Sequence, residues 1–145
     1  VMNDKSQPQR TPRTRPVSVV VIAVLLLAEA LGVLYYALVY ALQLGTPGPL
    51  SMGGRLFMLG LIVAAGIWQC SVAWNLFRGR AWTRAAAITW QLIQVIVAIP
   101  FFGVGGALTG TLLLLPAAAI IVLLFDPRTT AFFGDRQSGS TAARS

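Results

Sequence analysis

Residues 55–102 read RLFMLGLIVAAGIWQCSVAWNLFRGRAWTRAAAITWQLIQVIVAIPFF, two apolar runs joined by the basic link Phe77-Arg78-Gly79-Arg80-Ala81-Trp82-Thr83-Arg84. Trp68 lies eleven residues before Gly79 and Trp90 eleven residues after it, and each is followed by a glutamine. A helix rises about 1.5 Å per residue, so two helices that turn back at Gly79 carry Trp68-Gln69 and Trp90-Gln91 at nearly equal depth. Runs of this length match a hydrocarbon layer about 30 Å thick, which puts the shared depth close to its centre. The stretch is a membrane hairpin.

Composition places the rest of the chain in the same class. Of 145 residues 57% are hydrophobic and only 10% are charged, and the apolar residues come in runs too long for a water-soluble domain. The formal charge of +7 does not form a nucleic-acid patch, because the cations flank the apolar runs. Cys70 is the single cysteine and lies inside a run, so neither a disulfide framework nor a cysteine metal site is available. The chain has no histidine, which removes bis-histidine haem and the common zinc sites. No cofactor is expected.

In chain order, residues 1–16 combine Lys5, Arg10, Arg13 and Arg15 with prolines and polar residues, and are expected to be a disordered basic tail. Val17 to Ala41 is 25 residues of apolar sequence, too long for the core of a signal peptide, and is read as an uncleaved first span. Gln43 to Gly54 holds so many glycines and prolines that an exposed loop is predicted. The second span is expected over about 56–77 and the third over about 85–102, with Pro100 marking a terminus or a kink. Phe101 to Gly110 carries four glycines and reads as a turn at the interface, and the fourth span follows over 107–125. Pro116 interrupts that span and should kink it, leaving the Leu112 carbonyl without its usual donor. Asp126-Pro127 suits an N-cap and a first helical position, so residues 126–133 read as one interfacial turn, followed by a disordered polar tail to residue 145.

The expected architecture is therefore all-α: four transmembrane helices in an antiparallel bundle. Its orientation follows from charge. The N-terminal tail, the link with Arg78, Arg80 and Arg84, and the C-terminal segment with Arg128 hold ten basic residues on one side, against Arg55 alone on the other. That split assigns both termini to the cytoplasm of a plasma membrane, with the basic residues meeting anionic headgroups. Arg55, at the end of its span, is expected to snorkel to the outer headgroups.

Glu29 is the one acidic residue inside a span. A charge at the bilayer centre costs on the order of 2.5–3.5 kcal/mol on insertion scales, so this carboxyl must be neutral, paired, or turned toward protein or water. No basic residue inside a span is available as a partner. A neutral Glu29 that donates a hydrogen bond is expected, with Gln69, Gln91 and Gln94 at comparable depth as an intramembrane polar cluster. Helical spacing puts Gly32, Tyr36 and Tyr40 on the Glu29 face, a stripe that offers a path toward the outer surface. The simpler reading, that Glu29 and the glutamines hold helices together, is preferred to the path.

Two resemblances accompany this reading. Trp74-Asn75-Leu76-Phe77-Arg78-Gly79-Arg80-Ala81-Trp82-Thr83-Arg84 before a third span, with Phe125-Asp126-Pro127-Arg128-Thr129 closing the fourth, resembles small four-span membrane proteins of actinobacteria. Ala28-Glu29-Ala30-Leu31-Gly32 is similar to the first helix of the small multidrug resistance transporters, which implies a proton-coupled glutamate that binds cationic drugs. The third-span and fourth-span patterns of those transporters do not appear here. No phosphate loop, acid pair or nucleophile with a base is present, so an enzyme is not expected. Four short spans enclose little volume, which favours an accessory or interaction subunit with a membrane-protein partner or further copies of itself. The alternative is a small proton-coupled transporter or channel centred on Glu29.

Overall fold

The computed structural model describes residues 14–103 and 105–142, with side chains described as far as Gly134. The disorder expected for residues 1–16 lies outside the described residues except at 14–16. The described residues hold five helices and no strand: α1 (Val17–Leu42), α2 (Met52–Phe77), α3 (Trp82–Gly103), α4 (Ala107–Leu124) and α5 (Pro127–Ala142). The first four are long and apolar enough to cross a membrane. They pack together as the expected four-helix membrane bundle.

Several boundaries move. α2 begins at Met52 and takes Gly53 and Gly54 into its first turn, where few intrahelical bonds are at stake, while the Ser51 hydroxyl caps it by accepting from the Gly54 N–H at 3.2 Å. α3 begins three residues earlier than expected and runs through Pro100 to Gly103. α4 likewise continues through Pro116. The turn between them is shorter than residues 101–110, with Gly105 at φ 77° closing it. The C-terminal segment departs most: Asp126 accepts from the Arg128 N–H at 2.8 Å, as a cap should, but the helix it starts runs to Ala142 instead of ending after one turn. Phe133 anchors α5 by burying its ring against the bundle. Thr129 donates to the Ser18 hydroxyl at 2.8 Å, which ties α5 to the start of α1.

Gly79 turns the chain between α2 and α3. Its φ of 76° is left-handed, a region that a Cβ disfavours. The Arg80 N–H reaches back to the Asn75 carbonyl at 3.1 Å and the Gly79 N–H to that of Leu76 at 2.8 Å, so two carbonyls at the end of α2 are satisfied within the turn. The rings of Trp68 and Trp90 come to 5.8 Å between centroids, at the common depth that counting from Gly79 gives. Yet α2 and α3 are not the closest pair. α1 packs along α2 and α3 along α4, and the two hairpins so formed meet chiefly through α1 and α4.

The core divides at the level of Glu29. Toward the end that carries α5 and the basic link, here the basic end, Val19, Ile22, Leu26, Val72, Leu76, Ile120 and Leu124 form one buried hydrophobic cluster with Phe133. Toward the other end, the loop end, every buried residue of the described spans is alanine or glycine: Ala30, Ala37, Gly66, Ala98 and Gly110. These small residues let backbones approach within each hairpin. A Cβ on Gly66 would lie 2.6 Å from Leu34 Cδ2 across the α1–α2 contact, and one on Gly110 would lie 2.7 Å from the Phe102 ring across the α3–α4 contact.

Arg55 is held by its own chain. Its guanidinium donates to the carbonyls of Leu44 at 2.8 Å, of Leu50 at 3.2 Å and of Thr46. Those carbonyls have no helical donors, and a cation that satisfies three of them binds the 43–51 loop onto α2.

Candidate functional site

The polar layer between the two halves of the core is built from one residue of α1, one of α2 and two of α3. Gln69 and Gln91 are fully buried and Gln94 nearly so, while Glu29 is half-buried. Gln91 and Gln94 are three residues apart and so share a face of α3. Burial of four polar side chains in apolar surroundings is tolerable only if they bond to one another.

They do so around the Glu29 carboxyl. Gln69 Nε2 donates to Glu29 Oε2 at 3.0 Å, Gln91 Nε2 to the same oxygen at 3.1 Å, and Gln94 Nε2 to Glu29 Oε1 at 3.0 Å. Each amide differs in how it is held. Gln94 is fixed at both ends, because its Nε2 also donates to the Leu113 carbonyl at 2.9 Å and its Oε1 accepts from Trp90 Nε1 at 3.0 Å. Gln69 Nε2 has a longer contact with the Leu26 carbonyl at 3.5 Å. Among the described residues the Gln91 side chain makes no hydrogen bond beyond that to Glu29, and the Oε1 atoms of Gln69 and Gln91 are buried without a donor.

One carboxyl thus joins α1 to α2 and α3, and Gln94 extends the connection to α4. Sequence reasoning expected Glu29 to donate; here it accepts from three N–H groups. The two ends of a primary amide are close in size, so turning Gln91 half a revolution would present its carbonyl to Glu29 and suit a protonated carboxyl equally well. Gln94 cannot turn without losing Trp90 and Leu113. The layer therefore has one adjustable member and one that fixes the frame.

Of the residues offered as a path, Tyr36 is 58% exposed and its ring lies 6.4 Å from that of Tyr40. Tyr36 is two turns along α1 from Glu29, and the stripe is an open face of the helix instead of an enclosed channel. Near Pro116, the Leu113 carbonyl takes the Gln94 side-chain donor, next to the Leu112 carbonyl that the proline ring leaves without its helical donor. At the basic end Arg78, Arg80 and Arg128 are exposed. Arg84 is half-buried, with its guanidinium 5.7 Å from the Phe125 ring and 3.5 Å from the Thr130 hydroxyl.

Sequence reasoning missed Trp90 as a member of the layer, although its spacing of four from Gln94 is the spacing at which helical side chains meet. It also missed the Leu26 and Leu113 carbonyls, which no sequence signal marks. Among the described residues no group of three or more histidines, cysteines or carboxylates could hold a metal ion.

Fold and site together define a multi-pass α-helical membrane protein whose spans are joined by a buried carboxyl–amide layer. No protein-family model, curated protein or solved structure matches the chain. The likenesses to actinobacterial four-span proteins and to small multidrug resistance transporters therefore rest on the quoted motifs alone.

Proposed function

We propose that the chain is a non-catalytic accessory or interaction subunit of a larger membrane assembly, built on the actinobacterial four-span plan and held in the plasma membrane with both termini cytoplasmic. The observation that carries this reading is the full engagement of the Glu29 carboxyl, which accepts three amide donors and joins three helices, as a structural tie would. The lack of large buried side chains toward the loop end adds to it, because such a surface gains from a neighbouring membrane protein or a further copy. A second reading, a small proton-coupled transporter or channel, draws on the half-burial of Glu29 and on the exposed Tyr36–Tyr40 face beside it.

Purification from native membranes in mild detergent separates the two. An accessory subunit is expected to leave the membrane with one partner in fixed stoichiometry, and that association should survive Glu29→Gln. A chain that purifies alone and releases protons when candidate cationic ligands are added would overturn the subunit reading.

Orientation is checked separately. In a Cys70→Ser background, single cysteines at Ser6, Ser51 and Ser138 are exposed to a membrane-impermeant thiol reagent on intact cells. Only position 51 is expected to react, because ten of the eleven basic residues belong in sequence to the two tails and the link between the second and third spans. Reaction at position 6 or 138 without permeabilisation contradicts the assignment.

A further inference from the structure

We propose that the groove between α1 and α2 at the basic end is a binding site for one anionic phospholipid, its acyl chain lying in the groove and its phosphate on Arg15. The groove has a volume of about 220 Å³ and a floor of Ala23 and Ala73, with Leu27, Cys70, Trp74 and Phe77 among its walls. From Phe77 to Cys70 it extends over seven residues of α2, about 10 Å at the helical rise, and it runs along the helix axes as a lipid chain does. Its lining is almost wholly apolar, so it offers nothing to a polar ligand below its mouth.

The mouth is marked by a cation. The Arg15 guanidinium lies 4.2 Å from the centre of the Phe77 ring, a wall residue of the groove at its basic end. Stacking occupies the face of a guanidinium and leaves the N–H groups at its edge to donate, and those edges match a phosphate. The two acidic residues whose side chains are described are engaged elsewhere, Glu29 with the glutamine amides and Asp126 with the Arg128 N–H. An apolar slot along the bilayer normal, closed at the headgroup level by a stacked arginine, is complementary to a lipid at both ends. A partner helix would fill the slot as well, but would use the arginine edge only if it also brought a carboxylate or its last carbonyls to the same place.

The test uses the full chain in phosphatidylcholine vesicles that contain a small fraction of a probe lipid with a diazirine in its acyl chain, as either phosphatidylglycerol or phosphatidylcholine. After illumination the adducts are mapped by mass spectrometry. The phosphatidylglycerol probe is expected to label residues 23–27 and 70–77 about fivefold more than the phosphatidylcholine probe, the preference that one arginine near the surface confers. Arg15→Gln should remove that preference. Arg128→Gln, which deletes an equal charge at the same end on a residue that does not line the groove, should leave it unchanged. Equal labelling by both probes, equal loss in both arginine variants, or adducts spread evenly over the lipid-facing residues would each overturn the site, as would protection of the groove by a second copy of the chain.

Discussion

Glu29→Ala is expected to lower the stability of the bundle by about 2–5 kcal/mol, the sum of three intramembrane hydrogen bonds at their usual strengths. The loss falls unevenly. Without the carboxyl, Gln94 keeps Trp90 and Leu113 and Gln69 keeps its long contact with Leu26, but Gln91 loses its one contact in the layer. Two buried carbonyl oxygens without donors are then joined by a buried N–H group in the same state. Glu29→Gln should cost clearly less. The new side chain keeps the length of glutamate and one acceptor oxygen, and its amide N–H meets an acceptor once Gln91 turns. Thermal unfolding of the purified protein in one detergent, with both variants compared in parallel, reads the difference. If Gln and Ala variants fall together, the carboxyl does something that an amide cannot, and the structural-tie reading fails. If the Gln variant is as stable as the native protein but its assembly has lost function, proton exchange at Glu29 becomes the better account.

A second large effect is expected at Gln94, and its sharpness comes from comparison with Gln91. Gln94→Leu removes bonds to Glu29 and to the Leu113 carbonyl and leaves the Trp90 N–H without its acceptor, a loss of about 2–4 kcal/mol. Gln91→Leu removes one bond to Glu29 but also removes a buried oxygen that has no donor, so a change within about 1 kcal/mol is expected. Gln69→Leu should fall between them. Indole fluorescence gives an independent readout, since the Trp90 N–H is released only in the Gln94 variant. Equal destabilisation by the two α3 substitutions would show that the layer is uniform and that Gln94 does not fix its frame.

Hydropathy marks the number of spans, and counting from Gly79 gives the common depth of Trp68 and Trp90, because both depend only on length along the helix axis. Helix faces are another matter. Lipid is as apolar as a buried core, so a membrane helix carries little of the one-sided pattern that reveals the core face of a soluble helix. That is why the pairing of α1 with α2 and of α3 with α4 was hidden behind the more conspicuous link at Gly79. It is also why Glu29, Gln69, Gln91 and Gln94 could be grouped by depth from the sequence, while which amide meets which carboxyl oxygen could not. The hydrogen bonds of Arg55 were hidden for a different reason: the carbonyls that bind it belong to a loop whose path local sequence does not specify. α5 extends beyond its expected end although Gly134, Ser138, Gly139 and Ser140 fall in its later turns, and what the structure shows holding its first turns is the burial of Phe133 against the bundle.

The division of the core at Glu29 makes the protein mechanically unequal across the bilayer. Interlocked branched side chains resist compression and shear, since any displacement forces rotamers out of their wells. Toward the loop end the interlock is that of Leu34 on Gly66 and Phe102 on Gly110, each within one hairpin. Lateral pressure in the leaflet at the basic end is therefore met by a stiff block that includes α5, whereas pressure in the opposite leaflet acts on two hairpins free to close or spread. The carboxyl–amide layer marks the boundary between the two.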